Sequence, residues 1–169
     1  MANNEMYTPP WLIAKVREAM GSIDTDPCSC EKAQQIVKAQ RFYTKGDNGL
    51  VQNWYGNVFA NPPYSRGMMD LFSGKLYEEL QSENATQAIL LCNAQTASKW
   101  YQKACYMSDA KCDVSPRISF IDGETMKPKN GNDRSQTIFY FGGLTRCFYE
   151  FFKDVGYISE AFIRDGCKR

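Results

Sequence analysis

The chain has 169 residues, of which 43% are hydrophobic and 14% aromatic, and its 20 basic and 19 acidic side chains leave a formal charge of +1. This composition is typical of one folded domain and excludes a disordered chain. Because the charge is close to zero, nucleic-acid binding would require a local basic patch. The absence of histidine excludes Ser-His-Asp triads, His-based zinc sites and imidazole bases.

The cysteines and the amino terminus indicate a reduced protein inside the cell. Seven cysteines stand without a repeated pair spacing and without histidine partners, which disfavours disulfides and a metal site. Residues 1–5 lack a signal-peptide pattern, and no apolar run is long enough to cross a membrane. We therefore expect a cytoplasmic protein that binds neither membrane nor metal, folded as one domain over residues 1–169.

The first predicted element is a helix that begins at the prolines of Thr8-Pro9-Pro10, where apolar residues take up helical spacing, and ends at Gly21. A short strand is predicted over residues 22–25 and a second helix over residues 31–40. Residues 41–43 are expected to be extended. The turn-rich segment 45–49 is typical of a loop.

The next segments alternate between buried strands and helices. Residues 57–60 are short, apolar and bounded by Gly56 and Pro62-Pro63, which is typical of a strand buried on both faces. Further elements are a helix over 68–80, a strand over 88–92, a helix over 100–105, strands over 118–121 and 138–141, and a late helix with Phe148, Phe151 and Phe152. This order predicts an α/β fold with three α/β/α layers and a mostly parallel sheet, to which later strands could pair antiparallel.

Two of the predicted strands end in turns that combine polar residues with proline, at residues 24–27 and 61–64. In open α/β sheets, ligands bind beyond the carboxyl ends of the strands. The second turn reads Asn61-Pro62-Pro63-Tyr64. Because proline has a fixed φ and no backbone donor, a double proline holds its carbonyl groups as rigid acceptors, which suit an amine donor.

The exocyclic amino group of a base is a poor nucleophile because its lone pair is conjugated with the ring. Hydrogen bonds from its protons to Asn61 and the Pro62 carbonyl would localise that lone pair, and a sulfonium methyl placed in line could then react without a protein base. Tyr64 offers a flat face for a base swung out of its helix. An ordinary turn with a surface tyrosine is the alternative.

Residues 122–135 lack periodicity, contain Gly123, Pro128 and Gly131, and are predicted to form a mobile basic loop. Its cations could contact DNA phosphates and base edges, or could simply face solvent. Two residues directly after Tyr64 are further candidates. The DNA-binding candidates are Ser65, Arg66, Lys127, Lys129 and Arg134.

The corner Asn61-Pro62-Pro63-Tyr64 resembles the catalytic motif of amino-methyltransferases, in which Asp, Asn or Ser precedes Pro-Pro and an aromatic residue. The wider sequence is similar to the phage-type, Dam-like DNA N6-adenine methyltransferases. This similarity covers most of the chain, through Trp54 and through segments 7–9, 23–29, 41–44, 47–50, 57–59, 88–91 and 117–121.

The resemblance implies a Rossmann-like methyltransferase fold, S-adenosylmethionine as the methyl donor, and adenine in double-stranded DNA as the substrate, commonly to protect phage DNA from restriction. It implies that Asn61, Pro62, Pro63 and Tyr64 hold the target adenine. It assigns nine residues to the cofactor, namely Tyr7, Thr8, Pro9, Asp26, Pro27, Cys28, Ser29, Asp47 and Asn61.

The sequence departs from the family pattern after the first strand, where Asp26-Pro27-Cys28-Ser29 replaces the usual Gly-x-Gly loop. The stretch between residues 27 and 57 is short, so we expect a strand there to be trimmed or missing. Asp24 is expected to support Asp26 structurally rather than to form an acid/base pair with it, and Cys28 and Cys30 are expected to pack.

Other functions remain open at this stage. The proline motif also serves N4-cytosine, RNA adenine and protein glutamine methyltransferases, which methylate other planar amines. A non-catalytic DNA-binding relic of the fold is a further alternative. No separate target-recognition domain is expected, and the protein could act as a monomer or a homodimer.

Overall fold

A seven-stranded sheet forms the middle layer of the structure, a computed structural model that describes residues 5–65 and 67–160. The strands are β1 (Met6–Tyr7), β2 (Thr25–Asp26), β3 (Arg41–Phe42), β4 (Gly56–Ala60), β5 (Ala85–Asn93), β6 (Ala110–Val114), β7 (Ile121–Asp122), β8 (Gln136–Phe141) and β9 (Gly156–Glu160). The helices are α1 (Pro10–Met20), α2 (Glu31–Val37), α3 (Met68–Gln81), α4 (Lys99–Met107) and α5 (Thr145–Phe152), with a 3-10 turn at Gly49–Val51.

The large sheet has the strand order β3-β2-β4-β5-β8-β6-β9. Neighbouring strands are parallel from β3 to β5, whereas β8 runs antiparallel to β5 and β6, and β9 runs antiparallel to β6. The α/β class is confirmed, but "mostly parallel" describes one half of the sheet, because the late strands pair antiparallel. Strands β1 and β7 form a separate antiparallel pair.

Both faces of the sheet are covered by helices, because its central strands are apolar on both sides. Alternate residues such as Phe59, Ile89 and Leu91 pack in one cluster with α1 and α5. Their neighbours Val58 and Leu90 pack in a second cluster with α3 and α4. The prediction of three α/β/α layers is therefore confirmed, with the apolar period of two splitting the core into two halves.

Several predicted boundaries change in the structure. The second helix ends at Val37 rather than at residue 40, because Lys38 has a left-handed backbone with φ of 51°. The prediction of a strand over residues 118–121 is wrong except at Ile121, which begins β7. Ile118 and Phe120 are buried in the core but do not belong to a strand. Strands β6 and β9 were not predicted, since both mix polar and apolar residues.

Side-chain hydrogen bonds join neighbouring segments at the edge of the sheet where the parallel strands begin. Asp24 Oδ2 accepts the backbone N–H of Asn57 at 2.8 Å, and its Oδ1 accepts Gln40 Nε2 at 2.9 Å. Asn57 Nδ2 and Gln87 Nε2 both donate to the Met20 carbonyl, each at 2.9 Å. Asp24 thus has a structural role, although its hydrogen bonds are to Asn57 and Gln40 rather than in support of Asp26. The end of α1 is fixed to β4 and β5.

The connection from β3 to β4 contains only the short 3-10 turn, which agrees with the expected trimming of this region. Gly49, the first residue of this turn, lies directly against the carbonyl of Pro27, which follows β2. A Cβ atom on Gly49 would overlap that carbonyl oxygen. The Gly49 carbonyl accepts a hydrogen bond from the buried indole of Trp54 at 2.8 Å. Glycine is therefore required by close packing.

We predict that Gly49→Ala lowers the free energy of unfolding by about 1–3 kcal/mol, as overpacking does elsewhere. Gly46→Ala is the matched control in the same connection, because its added Cβ would lie at an ordinary 3.6 Å from Thr44 Oγ1. Urea denaturation of both variants measures the difference. Equal stability of the two variants would contradict the close approach of Gly49 and Pro27.

Candidate active site

A cleft of about 980 Å³ opens at the carboxyl ends of β2 and β4. The chain passes from β2 outward to β3 and then returns to the other side of β2 as β4, so the strand order reverses between these two strands. Such a reversal leaves a crevice in which ligands of open α/β sheets bind. The cleft is lined by residues of both predicted turns, including Asp26, Pro27, Cys28, Ser29, Asn61, Pro62, Pro63 and Tyr64.

The Asn61 side chain is held on two sides by other side chains. Its Nδ2 donates to Thr8 Oγ1 at 3.2 Å, and its Oδ1 accepts the hydroxyl of Tyr64 at 2.8 Å. Pro62 is buried, so the corner that carries Asn61 is fixed within the wall of the cleft.

Tyr64 lies at the mouth of the cleft with 39% of its surface exposed. Desolvation is nevertheless the largest effect on its hydroxyl and raises the pKa of Tyr64 above its ordinary value. The predicted flat face is therefore partly accessible. Its hydroxyl, however, occupies one lone pair of the Asn61 carbonyl oxygen, a contact that the sequence did not predict.

Asp26 is a buried carboxylate in the wall of the cleft, with 3% of its surface exposed. It accepts Gln34 Nε2 at 2.9 Å and the backbone N–H of Cys28 at 3.3 Å. Burial is the largest effect and raises the pKa of Asp26 to about 6, although hydrogen bonds from Ser29, Cys28 and Gln34 oppose it. Within residues 5–65 and 67–160, no lysine or arginine forms a salt bridge with this carboxylate.

The segment around Tyr7 closes the cleft beside Asp26. The Tyr7 hydroxyl donates to Glu5 Oε2 at 2.7 Å and accepts the thiol of Cys30 at 3.4 Å. Burial raises the pKa of Tyr7, and it also raises the pKa of the Cys28 thiol well above its ordinary value. Both cysteines line the cleft as packed thiols, which supports the packing role expected for them.

Three predicted site residues do not line the cleft. Pro9 precedes α1 as its N-cap. Asp47 is exposed, and its Oδ2 accepts the backbone N–H and the hydroxyl of Thr44 at 2.8 and 2.6 Å, so it holds the turn that carries lining residues. Lys127 is exposed outside the cleft.

The DNA-binding candidates that remain in the described chain line the cleft. They are the exposed residues Ser65, Lys129 and Arg134, whereas Arg66 lies outside the described residues. The backbone of the predicted loop 122–135 is hydrogen-bonded to the preceding segment, for example from Lys129 N to the Phe120 carbonyl at 2.8 Å. Mobility of the loop stays a prediction.

Sequence reasoning missed several polar residues of the cleft. Asn93 ends β5 and Gln136 begins the antiparallel β8, so both reach the same edge of the sheet, where Gln136 Nε2 donates to Asn93 Oδ1 at 3.3 Å. A polar residue directly after the apolar run 88–92 was the available signal for Asn93. The further lining residues that were missed are Thr44, Lys45, Asn48, Asn130 and Asn132.

Two other features are absent from the part of the chain that the structure describes. No helix there is long and apolar enough to span a bilayer. Residues 5–65 and 67–160 likewise contain no group of three or more cysteine and acidic side chains arranged to hold a metal ion.

Fold and site together define an α/β protein with a ligand-sized cleft at a reversal of strand order and an Asn-Pro-Pro-Tyr corner in its wall. The chain belongs to the DNA N-6-adenine-methyltransferase (Dam) family, which it matches over residues 2–164. A relative named DNA N-6-adenine-methyltransferase, from Escherichia phage T1, is 31% identical over 149 residues. That alignment covers 78% of this chain and 60% of the phage T1 protein. No significant match was found among solved structures.

The raised pKa of Asp26 predicts a pH dependence of stability. The folded protein binds this proton more tightly than the unfolded chain, so the free energy of unfolding falls as the pH rises from 3.8 to about 6. The full effect is about 3 kcal/mol, from about two pKa units. Above pH 6 the buried charge is fully present, and no further loss is expected from this group.

Chemical denaturation of the wild type and of Asp26→Asn at several pH values tests this prediction. Between pH 3.8 and about 6, the free energy of unfolding should fall less in Asp26→Asn than in the wild type, because the variant lacks this carboxylate. Asp47→Asn is the control, because hydrogen bonds from Thr44 lower the pKa of that exposed carboxylate and keep its titration below this range. Parallel pH curves for the wild type and Asp26→Asn would show that Asp26 is ionised normally.

Proposed function

We propose that the protein transfers a methyl group from S-adenosylmethionine to the exocyclic N6 of adenine in duplex DNA, after the base has flipped out of the helix. The observation that carries this proposal is the position of Asn61, whose amide lies at the end of β4 in the wall of the cleft, opposite the turn that follows β2. Family membership supports the same reaction. The parallel half of the sheet and its reversal of strand order support a Rossmann-like methyltransferase fold.

The residues of the cleft fit S-adenosylmethionine in charge and shape. Asp26 is a buried carboxylate without a salt-bridge partner among the described residues, and it suits the ammonium group of the methionine part. Phe59, Met68 and Phe72 give apolar surface suited to a planar ring, and about 980 Å³ lies within the range of small-molecule sites. The residues that would hold the cofactor are Tyr7, Asp26, Pro27, Cys28, Ser29 and Asn61.

The bound cofactor would supply an electrophilic methyl carbon, and the chain's own residues prepare the nucleophile. Asn61 Oδ1 and the Pro62 carbonyl accept hydrogen bonds from the two N–H groups of the adenine amine. This localises the nitrogen lone pair and directs it away from the ring. As the nitrogen bonds to the methyl carbon, the bond between that carbon and sulfur would break, and the methylated amine would then lose one proton to solvent. The corner is fixed before the base arrives, so the hydrogen bonds require no reorganisation in the transition state.

Entry of the base would change the hydrogen bond between the Tyr64 hydroxyl and Asn61 Oδ1. A base that reaches Asn61 Oδ1 shares this oxygen with the Tyr64 hydroxyl or displaces it. The exposed part of the tyrosine ring then stacks on the flipped base, in an interaction that contributes about 1–3 kcal/mol per base in other nucleic-acid complexes. Tyr64 thereby stabilises a base outside the duplex.

The same chemistry on another planar amine is the nearest alternative. Incubation with labelled S-adenosylmethionine and DNA, RNA or protein separates the substrates, and sequencing of methylated plasmid identifies the base and atom. Label only in RNA or protein would overturn the proposed substrate, and label on cytosine would overturn the proposed base. No binding of S-adenosylmethionine, with or without DNA, would favour a non-catalytic relic.

We predict that Asn61→Ala folds normally and lowers kcat by about 100-fold or more, as does loss of one preorganised hydrogen-bonding group in other enzymes. Asn84→Ala is the control, since this exposed asparagine lies before β5 at the opposite edge of the sheet. Methyl transfer to DNA is measured for each variant. Undiminished turnover of Asn61→Ala would remove Asn61 from the proposed mechanism.

Arg134 and Lys127 provide a test of the DNA-binding surface within one loop. Arg134 lines the cleft and Lys127 does not. Arg134→Gln is expected to weaken DNA binding and to reduce the slope of log K against log salt by about 0.9, the effect of one lost phosphate contact. Lys127→Gln should change the slope less. Fluorescence anisotropy over a salt series measures both, and a larger effect at Lys127 would contradict this surface.

A further inference from the structure

The chain contains two double prolines, and the polar residue that precedes each of them lines the cleft. Thr8 precedes Pro9-Pro10, and Asn61 precedes Pro62-Pro63. A residue before proline is restricted to extended backbone, so both positions are stiffened by their own sequence. The structure joins these two residues through the hydrogen bond from Asn61 Nδ2 to Thr8 Oγ1 at 3.2 Å.

The surroundings of Thr8 fix its side chain in space. It lies between β1, which pairs with β7, and Pro10, where α1 begins. Only 3% of its surface is exposed, although the residue lines the cleft. Its hydroxyl oxygen therefore gives Asn61 an acceptor whose position is set by both a strand pair and a helix.

An asparagine amide carries an acceptor on one side and two donors on the other, and rotation by half a turn exchanges them. Only the carbonyl oxygen of this amide can accept a hydrogen bond from an adenine amino group. The Tyr64 hydroxyl donates to this oxygen in the structure, and a base that enters would compete for the same atom. The contact between Asn61 Nδ2 and Thr8 lies on the other side of the amide and is compatible with a base at Oδ1.

We propose that Thr8 is a positioning residue for the reaction: its hydroxyl holds the Asn61 amide so that Oδ1 faces the substrate amine. This inference rests on the proposed methyl transfer. It differs from the cofactor contact that family resemblance implies for Thr8, because the side chain acts through Asn61 rather than on S-adenosylmethionine.

The test uses Thr8→Val, which keeps the shape of the side chain and removes the acceptor, and Thr8→Ser, which restores it. Thr8→Val should lower kcat about tenfold, equivalent to about 1.4 kcal/mol, while the KM for DNA and the Kd for S-adenosylmethionine change little. Thr8→Ser should recover most of the rate. If Thr8→Val does not fold, Thr8→Ala removes the same oxygen without adding a methyl group.

A second readout does not depend on activity. The Asn61 side-chain amide is assigned in nitrogen-15 NMR spectra by its loss in Asn61→Asp, and Thr8→Val should shift this signal whereas Thr8→Ser should not. Thr86→Val is the matched control, since Thr86 donates to Asn57 Oδ1 at 3.0 Å in another threonine–asparagine pair, at the opposite edge of the sheet. It should leave the Asn61 signal and kcat unchanged.

The outcomes separate the two proposals. An unshifted Asn61 signal in Thr8→Val, or weakened cofactor binding with unchanged kcat, would overturn the positioning role. Absence of methyl transfer by the wild-type protein would instead overturn the proposed function, while the NMR arm would still report whether Thr8 holds Asn61.

Discussion

The site depends on the reversal of strand order between β2 and β4. The two strands are neighbours, but the chain leaves β2 in one direction and returns on its other side, so the turns that follow them separate and leave a cleft. Asp26 and Asn61 stand at these two strand ends. The distance between a buried charge and a hydrogen-bonding amide is thus set by the sheet itself, and proline at the next position fixes each chain direction.

Much of this architecture could be predicted from the sequence because its central strands are continuously apolar. Runs such as residues 88–92 could only be buried between two layers of helices, and the structure has them there. Strand β6 was missed because Lys111 and Asp113 interrupt its apolar residues and pair with each other at 2.7 Å. The relative direction of neighbouring strands could not be predicted from the sequence either, since an apolar run has the same composition whether its neighbour is parallel or antiparallel.

The candidate site could likewise be predicted from the sequence only in part. Residues at the carboxyl end of a strand, such as Asp26 and Asn61, could be placed because the edge of a parallel sheet brings them together. The Asn61 contacts with Thr8 and Tyr64 could not, because they depend on rotamers and on the pairing of β1 with β7. Asp47 shows the limit of resemblance: its position in the motif is matched, but its carboxylate binds Thr44 within its own turn.

The hydrogen bonds among Asp24, Asn57, Gln87 and the end of α1 have a consequence for how the molecule can move. They connect a helix terminus to two strands at the edge farthest from the cleft, and opening there would break several of them together. At the cleft edge, contacts within exposed turns, such as those between Asp47 and Thr44, can rearrange singly. Conformational adaptation is therefore expected at the cleft end of the sheet, and the other end serves as its rigid base.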